Sequence, residues 1–267
     1  MTETPLKIGG VQLECRRLGP AVSEGPTLLL LHEGLGCVEL WRNFPDELAA
    51  RLPQCAVVAF SRQGYGRSDS IELPRPLDYK EREAVNVVPA VLDELGCNDV
   101  ILVGHSDGAT IAAYFAAEIA DPRLRGVVLM SPYFVNEEKC VLSIERSLEA
   151  FEAGDLRDRL ERYHGANVDC AFYGWCDAWL APGFRDWSIA DVLPKISVPV
   201  LILQGDDDPY GTIRQVEVAR DRIEAPLEVI MLAGCGHFPF IEREAESLEA
   251  VTGFVNRTLK TLNGAAE

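Results

Sequence analysis

No apolar run in this sequence approaches the roughly 20 residues that a helix needs to cross a bilayer. The longest, around Thr27-Leu28-Leu29-Leu30-Leu31, is of strand length. A membrane-spanning helix is therefore excluded, and no membrane partner is expected. Histidine is scarce: four copies leave few candidates for a neutral base at physiological pH. Basic residues are outnumbered, with 25 Lys and Arg against 42 Asp and Glu, for a formal charge of -17. Nothing forms the basic stripe that nucleic acid requires, so no nucleic-acid partner is expected. The charge reads as solubility, with some repulsion of highly anionic substrates. The eight cysteines (Cys15, Cys37, Cys55, Cys97, Cys140, Cys170, Cys176 and Cys235) include no CxxC pair and no metal-ligand spacing. Met1-Thr2-Glu3-Thr4-Pro5-Leu6-Lys7 lacks the apolar stretch of a secretory leader. Free thiols in a reducing cytoplasm are the simplest expectation.

What is present suits a globular protein. At 267 residues the chain can form one large α/β domain or two small ones, and 48% hydrophobic residues can bury a sizeable core. Leu6–Leu18 reads as a hairpin, with Ile8, Val11 and Leu13 flanking a Gly9-Gly10 turn. Thr27–Leu31, Ala56–Phe60, Val100–Val103 and Gly126–Met130 are continuous apolar runs, the pattern of strands buried on both faces. Val198–Leu203 and Leu227–Leu232 supply two more strands. Helical patterns fall at Phe44–Leu52, Arg82–Leu95, Ala109–Ala120, Ile213–Ile223 and Glu244–Leu262. This alternation predicts an α/β fold: a mostly parallel central sheet flanked by helices, built through right-handed crossovers. The rhythm breaks once, between Ser131 and Val198, where helical stretches at Glu137–Tyr163 and Cys170–Leu180 replace strands. The expected organisation is a core of 1–133 and 193–267, with 134–192 inserted as a helical lid.

Gly104-His105-Ser106-Asp107-Gly108 fits G-x-S-x-G. The pattern alone is weak, but it directly follows one strand and directly opens a helix, the setting of a nucleophile elbow. At so sharp a turn, side chains beside the serine would strike neighbouring backbone, and Gly104, Gly108 and Ala109 avoid this. Ser106 is the expected nucleophile, and a serine needs a base to react at neutral pH. His105 lies inside the elbow, pointing away from Ser106; His32 directly follows a strand; His164 falls in the insertion. His237 follows the last strand in Gly234-Cys235-Gly236-His237-Phe238, a loop that can reach across the sheet ends, and is the expected base. After Leu201–Gly205 comes Asp206-Asp207-Asp208-Pro209. Adjacent aspartates commonly make solvated turns. Chain order Ser, Asp, His nonetheless points to one of them as the third member of a triad. Asp208 precedes a proline, which biases it to an extended conformation suited to orienting an imidazole.

These residues together resemble the α/β-hydrolase superfamily over nearly the whole chain. His32-Glu33-Gly34-Leu35-Gly36 is similar to the family's H-G-x-x-G-like loop, which supplies one oxyanion amide. Ser61-Arg62-Gln63-Gly64-Tyr65-Gly66-Arg67-Ser68 is similar to its D-x-x-G-x-G-x-S loop. The family acid, three residues after a glycine, corresponds to Asp208 after Gly205. The resemblance implies an esterase-like, capped serine hydrolase with the triad Ser106, Asp208 and His237. Its oxyanion hole would use backbone N–H groups of Asp107 and of Gly34 or its neighbours, and it would need no metal or organic cofactor. Two positions depart from the pattern: Glu33 replaces the usual glycine, and Ser61 the common aspartate.

Aromatic residues crowd the insertion: Phe134, Tyr163, Phe172, Tyr173, Trp175, Trp179 and Trp187. Most are expected to pack the insertion onto the sheet. Trp175 and Trp179, one helical turn apart, are candidates for the wall of an apolar substrate pocket. The expected reaction is hydrolysis of an ester or thioester of a small, fairly hydrophobic molecule. The same triad serves carbon–carbon bond and enol-lactone hydrolysis, and the same fold hosts non-catalytic small-molecule receptors.

Overall fold

The computed structural model describes residues 4–264. Residues 1–3 and 265–267, which hold the first residues of the polar start and the outer ends of the two expected core segments, lie outside the described residues. The chain begins with β1 (Leu6–Ile8), β2 (Val11–Leu13), β3 (Cys15–Leu18), β4 (Thr27–Leu31), α1 (Phe44–Arg51) and β5 (Ala56–Phe60). Next, α2 (Tyr79–Arg82) passes through one π-helical stretch, Glu83–Val87, into α3 (Val88–Leu95). Then come β6 (Val100–His105), α4 (Asp107–Glu118) and β7 (Leu124–Met130). The helices α5 (Glu138–Ala153), α6 (Leu156–His164) and α7 (Val168–Leu180) precede β8 (Val200–Gly205) and α8 (Ile213–Arg222). The chain closes with β9 (Leu227–Leu232), α9 (Pro239–Glu242) and α10 (Glu244–Gly264).

Seven strands form one sheet in the order β3-β5-β4-β6-β7-β8-β9. All neighbours are parallel except β3, which pairs antiparallel with β5. β4, β5 and β6 are buried at every residue, as their unbroken apolar runs require of strands covered on both faces. Alternate residues feed two cores: Leu29 and Leu31 pack into one, Leu28 and Leu30 into the other. The expected hairpin ends sooner than its apolar pattern. Gly9 and Gly10, both at positive φ, close a two-residue turn between β1 and β2, after which β3 leaves to become the sheet edge.

Between β7 and β8 the chain builds three helices where two helical stretches are expected. Gly154 ends α5, consistent with the roughly 1 kcal/mol that glycine costs inside a helix. Helices α5–α7 share a third apolar cluster, in which Phe151 stacks on Phe172 at 3.7 Å. Leu35, Tyr133 and Tyr210 join that cluster from the segments after β4, β7 and β8, so the helices meet the C-terminal ends of the strands. No helix among the described residues is long and apolar enough to cross a membrane. All eight cysteines are free, and Cys170 alone is not fully buried.

Candidate active site

Ser106 sits between β6 and α4 at φ 52°, ψ -116°, a backbone region that non-glycine residues rarely occupy. Such strain costs on the order of 1–3 kcal/mol and persists only where the surroundings enforce it. Here the Ser106 N–H donates to the Met130 carbonyl at 2.9 Å, and the Ser106 carbonyl accepts from Ala109 and Thr110. The flanking glycines are required by contact: a Cβ at Gly104 would overlap the Gly108 carbonyl, and one at Gly108 the Leu31 carbonyl. Asp107 opens α4, so its N–H is among those a helix leaves without an internal acceptor.

Of the three adjacent aspartates, the structure brings Asp208 to His237. His237 Nδ1 donates to Asp208 Oδ2 at 2.8 Å, which leaves Nε2 as the ring nitrogen able to accept a proton. Gln204 Nε2 also donates to Oδ2, while the Tyr210 and Gly211 N–H groups donate to Oδ1. Burial alone would raise the Asp208 carboxyl; the His237 charge and hydrogen bond, with those two backbone donors, overcome it and hold it at about 2. Asp206 accepts the Gly234 N–H at 2.7 Å and braces the loop carrying His237, and Asp207 faces solvent. Ser106 and His237 line one cavity, although among the described residues no hydrogen bond joins them. Catalytic hydrogen bonds are often long before substrate binds.

The remaining histidines are structural props. His105 Nε2 donates to the His237 carbonyl at 2.7 Å, and Ser131 Oγ donates to the same oxygen at 3.1 Å. His32 Nδ1 donates to the Glu33 carbonyl while its Nε2 accepts the Arg62 N–H. His164 Nε2 donates to the Leu35 carbonyl, so the loop after β4 is pinned from several sides. Glu33 turns its carboxylate to His105 Nδ1 at 3.4 Å. Burial pushes the Glu33 carboxyl up, but the His105 hydrogen bond and charge prevail and hold it low. Ser61 also gains a physical account: its Oγ accepts the Val38 N–H and donates to Glu14 at 2.6 Å, so Glu14 brings the carboxylate to this loop.

The cavity at Ser106 measures about 70 Å³ and is lined by Glu33, Gly34, Leu35, Tyr133, Cys140, Ile144, Trp175, Trp179, Tyr210, His237 and Phe238. Both tryptophans singled out in the sequence stand in its wall. Gly34 faces Trp175 so closely that a Cβ would overlap the indole. A larger groove of about 610 Å³ adjoins it, sharing Glu33, Leu35, Tyr210 and Phe238. Beneath the elbow lies a buried cluster that sequence reasoning misses: Tyr79 Oη donates to Asp107 Oδ2, and Lys80 Nζ stands 3.7 Å from Oδ1. Tyr79 and Lys80 sit on a helix far from the elbow in sequence, in a stretch that carries no recognisable motif.

The family model of the α/β hydrolases matches residues 28–250, and the chain belongs to that family. Over 96% of its length it is 22% identical to a proline iminopeptidase of Lactobacillus delbrueckii subsp. bulgaricus, 98% of which is matched. It is 35% identical to Epoxide hydrolase 3 of Siraitia grosvenorii over 49% of this chain and 40% of that protein. The solved esterase RhEst1 from Rhodococcus sp. ECU1013 superposes with a TM-score of 0.70 at 21% identity, covering 96% of this chain and 99% of its own. These relatives are hydrolases, named for a peptidase, an epoxide hydrolase and an esterase.

Proposed function

We propose that this protein is a serine hydrolase that cleaves an ester or thioester of a small, fairly hydrophobic substrate through an acyl-enzyme on Ser106. The observation that carries this reading is the strained Ser106 sharing a cavity with a histidine whose other nitrogen is held by a buried carboxylate. Ser106 Oγ attacks the carbonyl carbon, and His237 Nε2 takes its proton. Asp208 keeps the ring oriented and offsets the imidazolium charge. The N–H groups of Asp107 and Gly34 receive the developing oxyanion, where one donor is worth about 10²–10³ in rate. His237 then returns the proton to the leaving group, and water activated by the same ring releases the acid.

Residues 134–192 act as the lid in this scheme and set substrate choice. Trp175 and Trp179 form the wall against which a short acyl group packs, and the adjoining groove gives the leaving group its way out. A p-nitrophenyl ester tests the scheme: a burst of p-nitrophenol equal to the enzyme concentration is expected, and it should vanish in Ser106→Ala. Steady ester turnover by Ser106→Ala at the parental rate refutes it.

A further inference from the structure

The residue after the nucleophile presents an electrostatic problem. Asp107 supplies an oxyanion N–H in the scheme above, yet its own carboxyl carbon is three bonds from that nitrogen, and its charge would oppose negative charge on the substrate oxygen. The side chains of Asp107 and Lys80 are 1% and 0% exposed, and 3.7 Å separates their charged atoms. Among the described residues neither Lys80 Nζ nor Asp107 Oδ1 has a hydrogen-bond partner, so opposite charge holds them together. Aromatic rings enclose the ammonium: Nζ lies 4.0 Å from the Trp179 centroid, 4.1 Å from Trp187, 4.5 Å from Phe184 and 5.0 Å from Tyr79. Rings stabilise a cation, and a methionine would fill the same space without the cost of burying an ammonium. Burial pushes Lys80 down, and the Asp107 charge works against that shift. Tyr79 Oη, which donates to the other Asp107 oxygen, accepts from Trp179 Nε1 at 3.2 Å. Trp179 stands in the cavity wall. The cluster thus runs from the substrate pocket to the residue that aims the oxyanion donor.

We propose that Lys80 is a positioning residue that cancels the charge of Asp107, so that the adjacent N–H meets the oxyanion without an opposing carboxylate, while Tyr79 fixes the carboxylate and ties it to the pocket wall. This rests on the reading of Ser106 as the nucleophile. Lys80→Met leaves Asp107 unbalanced, and kcat should fall about 100-fold with KM within about twofold, as for other losses of oxyanion stabilisation. Adding Asp107→Asn removes the opposing charge and should restore kcat to within about tenfold of the parent. A purely structural role would not separate kcat from KM. Nor would it weaken a trifluoromethyl ketone, which binds a serine as an oxyanion, in step with kcat; the proposal requires both.

Thermal unfolding establishes which variants are folded. If Lys80→Met does not fold, Tyr79→Phe decides, and its kcat should fall about fivefold with KM unchanged, the worth of one lost hydrogen bond. A folded Lys80→Met with parental kcat overturns the proposal, as does a loss that Asp107→Asn fails to restore or, where Tyr79→Phe decides, parental kcat in that variant. Failure of the parent enzyme to form the ketone adduct on Ser106 overturns the nucleophile assignment instead.

Discussion

Two buried aspartates flank the proposed reaction centre, and they are held by opposite means. Asp208 is surrounded by hydrogen-bond donors: the His237 ring, the Gln204 amide and two backbone N–H groups. Among the described residues, the Asp107 carboxylate has one hydroxyl donor and a lysine at ion-pair distance without a hydrogen bond. Donors aimed at fixed lone pairs fix direction, which suits a carboxylate that must orient an imidazole. A charge held in an aromatic cage fixes net electrostatics more than direction, which suits a carboxylate whose neighbouring N–H is the proposed oxyanion donor. Exchanging the two arrangements would give a loosely aimed His237 and an oxyanion site beside an uncompensated charge.

The contrast can be broken most severely at Asp208. Asp208→Asn should lower kcat by about 10⁴-fold while the fold persists, because the amide offers the ring the wrong partner. The same variant tests the carboxyl directly in acid. Since the folded-state value is depressed from 3.8 to about 2, its stabilisation is present above about pH 4 and lost as pH falls toward 2. Between pH 5 and pH 2 the parent should therefore lose about 2 kcal/mol more than Asp208→Asn, measured by urea unfolding at each pH. A smaller effect is expected in the pocket wall. Trp175→Ala or Trp179→Ala should shift relative rates among acyl chain lengths by about tenfold, the worth of one or two methylene contacts. Chain-length preference that stays parental in both would place the acyl pocket elsewhere. The smallest change is expected at the other aspartates: Asp206→Ala should cost about 1 kcal/mol of stability by removing the acceptor of the Gly234 N–H. Activity should barely move in that variant or in Asp207→Asn.

Much of this was readable from local signals. Apolar runs such as Thr27–Leu31 mark strands because a strand covered on both faces has no polar side, and the glycines of the elbow mark a turn that excludes Cβ atoms. The pairing of Asp208 with His237 was legible because the sheet gathers strand ends, while Pro209 and the spacing from Gly205 single out Asp208 among three adjacent aspartates. The Tyr79–Lys80–Asp107 cluster was not: a helix lysine beside an elbow aspartate depends on which helix packs beneath it, and no periodicity encodes that. Nor was the partnership of Ser61 with Glu14, which joins two loops across 47 residues. The hairpin expected over Leu6–Leu18 runs past the observed β1–β2 pair for a related reason. Cys15–Leu18 carries the same local pattern whether it continues a hairpin or joins a sheet edge, and only its pairing with β5 decides.

Covalent labelling tests the central assignment most directly. Intact-mass spectrometry after fluorophosphonate treatment should show a single adduct, which peptide mapping places on Ser106 and which disappears in Ser106→Ala. An adduct on another residue, or labelling that survives Ser106→Ala, would contradict the assignment of Ser106 as the nucleophile.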